Sequence, residues 1–390
     1  MSIDLYAERD TALTMIPVRD TQAPAPTPRT QLGHRRAEDT LVIWGSRVAA
    51  LGLSWVICER LLPLPGLVWF VVVAALANLV LLVVGTSVIG GAVEISDRVA
   101  QWAISAGAST VFLALATTIG FVLTRGWTAL HHLNFFTQDM SGVGPNTPLS
   151  QGGILHAIVG SLIELGIAVA ITLPLGVGTA VFMTEVGGRF ARIVRTVVEA
   201  MTALPSIVAG LFIYSTWIIA LGQPRSGLAG GLAISVMMLP IIARASDVVL
   251  RVVPGNLREA SLALGASRWK TVWHVVLPTA RPGLATALIL GIARGIGETS
   301  PVLITSGNAA FMHTDPRSGV MTSLPLYIFA TVRSGVPLQI SRAFGTAATL
   351  LVLVLILFIV ARLLARPASA KPSPWRRLRR RLTPIPKEAS

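Results

Sequence analysis

Eight apolar stretches, each close to the length that crosses a lipid bilayer, constrain this 390-residue chain more than any other feature. Roughly 20 helical residues, rising about 1.5 Å each, span about 30 Å of hydrocarbon. None of the stretches alternates with period two, which argues against a β-barrel. We therefore predict an all-α, polytopic integral membrane protein of about eight helices. The stretches lie at residues 41–60, 67–91, 99–123, 154–183, 194–220, 228–250, 282–306 and 342–365.

The first stretch is the weakest because it contains Arg47 and ends in Glu59 and Arg60, just before Pro63 and Pro65. A hairpin that does not fully cross the membrane is the alternative there. The other seven are clear, since the chain is 53% apolar and only 13% charged, with a mean hydropathy of +0.70. Such a composition excludes a water-facing surface over most of the chain.

The net charge of +14 is distributed as in a membrane protein, not as in a nucleic-acid binder. Basic residues flank the apolar stretches and form no stripe with aromatic residues, and nine of the 32 Lys and Arg lie between Arg362 and Lys387. Loops rich in Lys and Arg stay on the cytoplasmic side, so both termini are predicted to be cytoplasmic, with loops 125–153 and 307–341 outside. We expect the basic tail to lie near anionic membrane lipid and no nucleic acid to bind.

Four regions follow from this pattern. Residues 1–40 are predicted to be a disordered cytoplasmic tail and residues 41–96 to be additional N-terminal spans. Residues 97–365 form the main transmembrane domain, and residues 366–390 form the basic cytoplasmic tail.

The predicted cytoplasmic loop at residues 251–281 is amphipathic, with apolar and charged residues interspersed. From composition alone it resembles an interfacial anchor with Trp269 and Trp273 at the level of the lipid headgroups. Its motif indicates more. Glu259, Ala260, Ser261, Gly265 and the Val-Val-Leu-Pro run at 275–278 resemble the coupling loop of ABC-importer permeases, with Ser261 and Val275 as the departures from the pattern.

Further motifs resemble the phosphate-specific permease subunit of ABC importers, the PstA family, over about residues 97–365. They lie at residues 152–154, 157–160, 173–176, 204–210 and 297–301. The last of these, Gly-Glu-Thr-Ser-Pro, is the sharpest, because the paired PstC family diverges after Gly-Glu-Thr. The resemblance is silent about residues 1–96.

The resemblance implies transport of inorganic phosphate together with a paired PstC-like permease, two cytoplasmic ATPase subunits and an extracytoplasmic phosphate-binding protein. It also implies the residues that contact the ATPase, namely Glu259, Ala260, Ser261, Gly265, Leu277 and Pro278. The residues agree with this division of labour: no G-x-x-x-x-G-K-[ST] motif occurs, so the chain has no P-loop of its own. We expect no cofactor, and the six histidines lack metal-ligand spacing.

Arg294 lies at the centre of the stretch 282–306, where a lone cation costs about 2.5–3.5 kcal/mol. Glu298, four residues later, would share its helical face and neutralise it. The pair is then either a structural ion pair or a substrate site, since an Arg fork suits tetrahedral oxyanions. The resemblance implies phosphate passage at Arg294. Glu164 and Glu199 have no obvious partner nearby in the sequence, so either is a further candidate to pair with Arg294. Arg244 and Asp247, three residues apart, are expected to pair with each other.

Two prolines inside apolar stretches, Pro205 and Pro301, interrupt the helical hydrogen bonds next to hydroxyl side chains. A helix that begins after Pro205 would offer backbone N–H groups to an anion, although an ordinary kink is the alternative. Ser206, Thr299 and Ser300 are therefore further candidates for the substrate pathway.

Two rival functions stay open at this point. The first is a permease for another oxyanion, such as sulfate or molybdate. The second is a membrane enzyme or scaffold without transport, although H-E-x-x-H and G-x-S-x-G motifs are missing from the sequence.

Overall fold

The computed structural model describes residues 37–62 and 66–364, and in these residues it consists of helices and connections without a strand. The predicted tails at 1–40 and 366–390 lie outside the described residues, apart from 37–40. The α-helices are α1 (Ala37–Val56), α2 (Leu67–Ile89), α3 (Ala92–Leu130), α4 (Asn134–Thr137), α5 (Leu155–Val181), α6 (Gly188–Thr202), α7 (Ser206–Ile213), α8 (Gly227–Val252), α9 (Gly255–Ala263), α10 (Arg268–Thr271), α11 (Leu277–Gly295), α12 (Ser300–Thr305), α13 (Leu324–Val332) and α14 (Pro337–Leu364).

Short π-helical segments continue several of these helices. Ile57–Leu61 follows α1, Phe182–Val186 follows α5, Tyr214–Ala220 follows α7, and Val272–Val276 joins α10 to α11. Seven of the resulting helical runs in the described chain are long and apolar enough to cross a membrane, and a bent pair of helices brings the number to eight. The prediction of an all-α polytopic protein is confirmed.

Two predicted spans differ from the structure. The stretch 194–220 is not one straight helix, because α6 and α7 meet at a bend of 105°. The stretch 282–306 is displaced, because its helical run is Arg268–Gly295 and a separate helix, α12, follows. The run therefore begins inside the segment that we expected to lie along the membrane face.

Proline and glycine explain both breaks. Pro205 precedes α7 with an extended backbone (ψ 137°), which α-helical geometry does not allow, and its ring nitrogen has no hydrogen to donate to the preceding turn. Residues 296–299 separate α11 from α12, and Pro301 occupies the first turn of α12, where a missing N–H costs nothing.

The chain divides into two compact units, Met1–Ala114 and Leu115–Ser390. In the first unit, α1 and α2 form an antiparallel pair, and Asn78 is its polar centre. The Asn78 amide donates to the Ser46 hydroxyl at 3.5 Å and accepts from the Trp102 indole at 3.0 Å. Cys58 is buried in this unit. Hydrogen bonds between helices of this kind are typical of packing inside a bilayer.

In the second unit, α5 and α11 both pack along α8, α13 packs on α14, and α12 packs on α7. Small residues allow these close approaches, as is usual between membrane helices. A Cβ atom at Gly210 of α7 would lie 2.6 Å from the Cα of Pro301 in α12. The main core cluster consists of Leu165, Ala168, Ile234, Met238, Ile242, Ile296, Val302 and Leu326.

Candidate functional site

The predicted ion pair forms at the second break. Arg294 is in the last turn of α11, and its Nε lies 3.0 Å from Glu298 Oε1. Glu298 is not on the same helix, as its spacing had suggested, because α11 ends at Gly295 and Glu298 lies in the connection to α12. The two side chains differ in burial: Glu298 is 7% exposed, whereas Arg294 is 57% exposed. The buried carboxylate of Glu298 thus holds the Arg294 side chain in place, while more than half of the Arg294 side chain stays exposed.

The other predicted pathway residues lie on the helices next to this pair. Ser300 begins α12, Thr299 directly precedes it, and Ser206 begins α7. Because α7 packs on α12 at Gly210 and Pro301, the helices that start at the two breaks lie against each other. Thr299 and Ser206 are half-buried, and Ser300 is exposed. The interactions that the structure describes include none between these three hydroxyls and Arg294.

Glu164, a candidate partner of Arg294, has a different neighbour. It is fully buried in α5, and the Ser306 hydroxyl lies 2.5 Å from its Oε1. The fit depends on α8, because a Cβ atom at Gly230 would lie 2.9 Å from the same oxygen. Glu199, the second candidate, is exposed on α6. The prediction that one of them pairs with Arg294 is not supported by the contacts.

The predicted coupling loop folds into two short helices joined by a tight turn. Glu259 and Ala260 are exposed on α9, and Gly265 follows with φ +81°, a conformation that favours glycine. Ser261 is tied back to the start of the next helical run, since its hydroxyl lies 2.9 Å from that of Thr271. Leu277 packs against the cluster formed by Ala180, Leu250, Val253, Val276 and Ala280, and Pro278 lies exposed in the first turn of α11.

Arg258 fixes the orientation of α9, a role that the sequence did not reveal. Its Nη2 donates to the Leu250 carbonyl at 2.8 Å and its Nη1 to the Val253 carbonyl at 3.0 Å. Its Nε donates to Glu185 Oε1 at 3.1 Å. One side chain thus binds α9 to the end of α8 and to the π-helical segment after α5. Hydrogen bonds from a side chain to carbonyls five and eight residues earlier follow no sequence pattern, so the sequence did not indicate this role of Arg258.

The expected local pair of Arg244 and Asp247 is wrong. Asp247 accepts from Arg251 Nε at 3.1 Å and from Arg195 Nη2 at 3.4 Å. Arg251 is one helical turn further along α8, and Arg195 is on α6. Asp247 therefore joins two helices, whereas its spacing of three residues from Arg244 had suggested a pair within one helix.

The loops on the predicted outer side are held by polar contacts as well. The buried Nη2 of Arg342 lies within 3.1 Å of the carbonyls of Thr147, Pro148 and Gln151. Hydrogen bonds hold the pKa of Asp139 below its usual range, the first from the Met312 N–H and others from Ser141. These contacts join the two predicted outer loops to each other and to α14.

A bundle of membrane helices with one span bent by 105°, and with a charged pair at the end of another, has the features of a membrane permease. A family model described as "Binding-protein-dependent transport system inner membrane component" matches residues 172–369. The chain belongs to this family. The matched region contains the predicted coupling loop, both breaks and Arg294.

Relatives named PstA confirm the predicted resemblance to the PstA family. The chain is 38% identical over 253 residues to "Phosphate transport system permease protein PstA 1" of Mycobacterium tuberculosis, covering 65% of this chain and 83% of that protein. It is 39% identical over 241 residues to the protein PstA of Mycobacterium leprae, with 62% and 79% covered. The PstA of Haemophilus influenzae is 34% identical over 244 residues, with 62% and 84% covered.

Solved structures with a similar chain include a MetNI methionine ABC transporter in an inward-facing conformation. The TM-score is 0.41 at 22% identity, over 60% of this chain and 95% of that one. A bacterial alginate ABC transporter, in complex with a pentasaccharide-bound periplasmic protein, gives a TM-score of 0.47 at 16% identity, over 70% and 96%.

Proposed function

We propose that this protein is the membrane permease of an ATP-driven importer for inorganic phosphate. It forms the translocation path in the bacterial plasma membrane with a paired, PstC-like permease. Two cytoplasmic ATPase subunits drive the transport, and an extracytoplasmic binding protein delivers the phosphate. The names of the relatives suggest the substrate, and the Arg294 site supports it.

The observation that carries the proposal is the partly uncovered Arg294 guanidinium inside a membrane domain. A buried carboxylate 3.0 Å away lowers the cost of placing this cation in the bilayer. With 57% of the side chain exposed in the isolated chain, the remaining donors face the surface where a partner permease and a substrate would lie. Five N–H donors in a planar fork match a tetrahedral oxyanion.

The direct test is ATP-dependent uptake of radiolabelled phosphate into vesicles that hold the complete complex. We expect uptake only when this chain is present. An excess of sulfate or molybdate should leave it unchanged. Uptake that either anion abolishes at equal concentration would favour the rival permease, and a purified chain that never binds an ATPase subunit would favour the membrane enzyme or scaffold.

The exposed face of α9 should be needed for coupling to the ATPase and not for folding. Glu259→Lys reverses a surface charge, and Gly265→Asp places a side chain at φ +81°. We expect both variants to insert normally and to lose most of their uptake. Asp97→Lys, which reverses an exposed charge on α3, is the control and should transport like the parent. Normal uptake by both loop variants would contradict the coupling role.

The proposed topology places the end of the first span outside. Native Cys58 is a poor reporter because it is buried, so we suggest the exposed neighbouring position, as Glu59→Cys in a Cys58→Ser background. A membrane-impermeant thiol reagent should label it in intact spheroplasts. Ala263→Cys in the proposed cytoplasmic loop should be labelled only after the membrane is opened. The reverse pattern would show that the termini are outside.

A further inference from the structure

A small cavity lies behind the Arg294 site, on the side of Glu298 that faces the protein interior. Two carboxyl groups line it, and the fully buried one, Glu164, has no role in the function proposed above. The space open to the centre of a water-sized molecule is about 10 Å³, which suits about one water molecule. The lining residues are Ser161, Glu164, Leu165, Ile234, Gly295, Ile296, Glu298 and Ser323.

Three oxygens of these side chains need a hydrogen-bond partner. Glu164 Oε2, Glu298 Oε1 and Ser323 Oγ are buried and have none within the described part of the chain. Glu298 Oε1 is close to Arg294 Nε, but the angle is not that of a hydrogen bond. Buried polar atoms in proteins are almost always paired, with water where no protein group is available. One water in this cavity would supply the partners.

The hydrogens around Ser306 show which state Glu164 is in. The Ser306 hydroxyl oxygen lies 2.5 Å from Glu164 Oε1 and 2.8 Å from the Met321 carbonyl oxygen. A hydroxyl has one hydrogen to donate, so it cannot satisfy an ionised Glu164 and the carbonyl together. If Glu164 carries the proton on Oε1, it donates to Ser306, and Ser306 donates to Met321. Every group then has a partner.

The count of charges leads to the same state. Around the cavity, the described elements contribute two carboxyls and the nearby cation Arg294, which already pairs with Glu298. The helix α8 faces Glu164 with Gly230, Gly231 and Ile234, and α12 ends beside it before Ser306. Other charged or titratable groups on these helices lie further along them. His156 on α5 packs on Tyr327. On α8, Arg244 is exposed beyond Ile234, and Asp247 pairs with Arg251 and with Arg195 of α6. A second buried anion without a cation would be very costly.

We propose that Glu164 is held as a neutral carboxylic acid and positions Glu298, and through it Arg294, by way of one bound water. Glu164 is thus a positioning residue for the anion site and does not touch the substrate. The link to Arg294 rests on the proposed function, whereas the protonation of Glu164 does not.

Two variants separate this role from simple packing. Glu164→Gln keeps the shape and a donor to Ser306, so the complex should take up phosphate with a KM close to that of the parent. Glu164→Met keeps the volume without hydrogen bonds. Ser306 keeps its hydrogen bond to the Met321 carbonyl, so this variant should still fold, at a moderate cost in stability. Its KM for phosphate should rise about fivefold to tenfold, the equivalent of one lost hydrogen bond.

Infrared difference spectra of the purified complex test the proton directly. Glu164→Gln should remove the C=O band of a carboxylic acid, whereas Glu199→Gln, at an exposed position, should remove carboxylate bands. Loss of carboxylate bands on Glu164→Gln would overturn the proposal, as would a folded Glu164→Gln complex that does not transport. An unchanged KM in Glu164→Met would overturn the positioning role. If the parent complex failed to transport phosphate, the proposed function would fall, while the infrared result would still decide the state of Glu164.

Discussion

Arg294→Gln is expected to reduce phosphate uptake by about 10-fold to 100-fold, in a complex that still inserts into the membrane and still binds its ATPase. The change removes charge-assisted hydrogen bonds to the anion, each worth about 1.5–3 kcal/mol. It also leaves the 7%-exposed Glu298 without its counterion. Arg294→Lys should be intermediate, because it keeps the charge and loses the planar fork. The measurement is the initial rate of phosphate uptake by the parent, Arg294→Gln and Arg294→Lys complexes at matched expression.

A double variant separates the two origins of that loss. Arg294→Gln with Glu298→Gln removes both charges, so no buried carboxylate is left unpaired. A purely structural ion pair predicts that the double variant recovers transport. A guanidinium that handles the substrate predicts that it stays as inactive as Arg294→Gln alone. Recovery to near the parent rate would refute the role of Arg294 in the pathway.

Arg258→Met is expected to abolish most of the coupling between this chain and its ATPase while the spans stay intact. The change removes the bonds from α9 to the Leu250 and Val253 carbonyls and to Glu185. Because Glu185 is only 18% exposed, it also loses its cation in a poorly solvated position. We expect uptake to fall more than about tenfold, since several hydrogen bonds with a charged donor are lost together. Uptake and copurification of the ATPase are the measurements.

The matched control is Arg268→Met, the same change at an exposed arginine of the same loop. It should retain most of the uptake, and both variants should appear in the membrane in equal amounts. Equal loss in the two variants would mean that the loop needs positive charge in general. In that case the anchoring geometry of Arg258 would not be what matters.

Most spans were predictable because hydropathy over about 20 residues is a local property, and six of the eight stretches each match one helical run in the structure. The position of the first break was predictable too, since Pro205 cannot donate a backbone hydrogen bond. The size of the bend was not, because 105° depends on what α6 and α7 pack against. The second break shows how a correct prediction can rest on the wrong geometry. Spacing of four residues paired Arg294 with Glu298, but the two belong to different segments.

The rest of the site depends on contacts between distant parts of the chain. Glu164 and Ser306 are 142 residues apart, and Arg258 reaches Glu185 across 73. No period or motif relates such positions, so only the folded arrangement of α5, α8 and α9 brings them together. Glu164 drew notice in the sequence solely as a charge without a local partner. An intramembrane charge of this kind indicated that Glu164 has a partner, but the sequence suggested Arg294, whereas the partner in the structure is Ser306.

The close fit of Gly230 against Glu164 bears on how natural variants of this protein are interpreted. Alanine at this position would raise both the hydropathy and the helix propensity of α8, the latter by about 1 kcal/mol. Scores based on composition would therefore rank it as benign or beneficial. Its methyl carbon, however, would lie 2.9 Å from Glu164 Oε1 and 3.0 Å from the Ser306 Cβ, which is too close for either neighbour to stay in place. Variants in membrane helices of this kind need to be ranked by the distance to the facing atom, and a single added methyl group can be the most damaging change in a span.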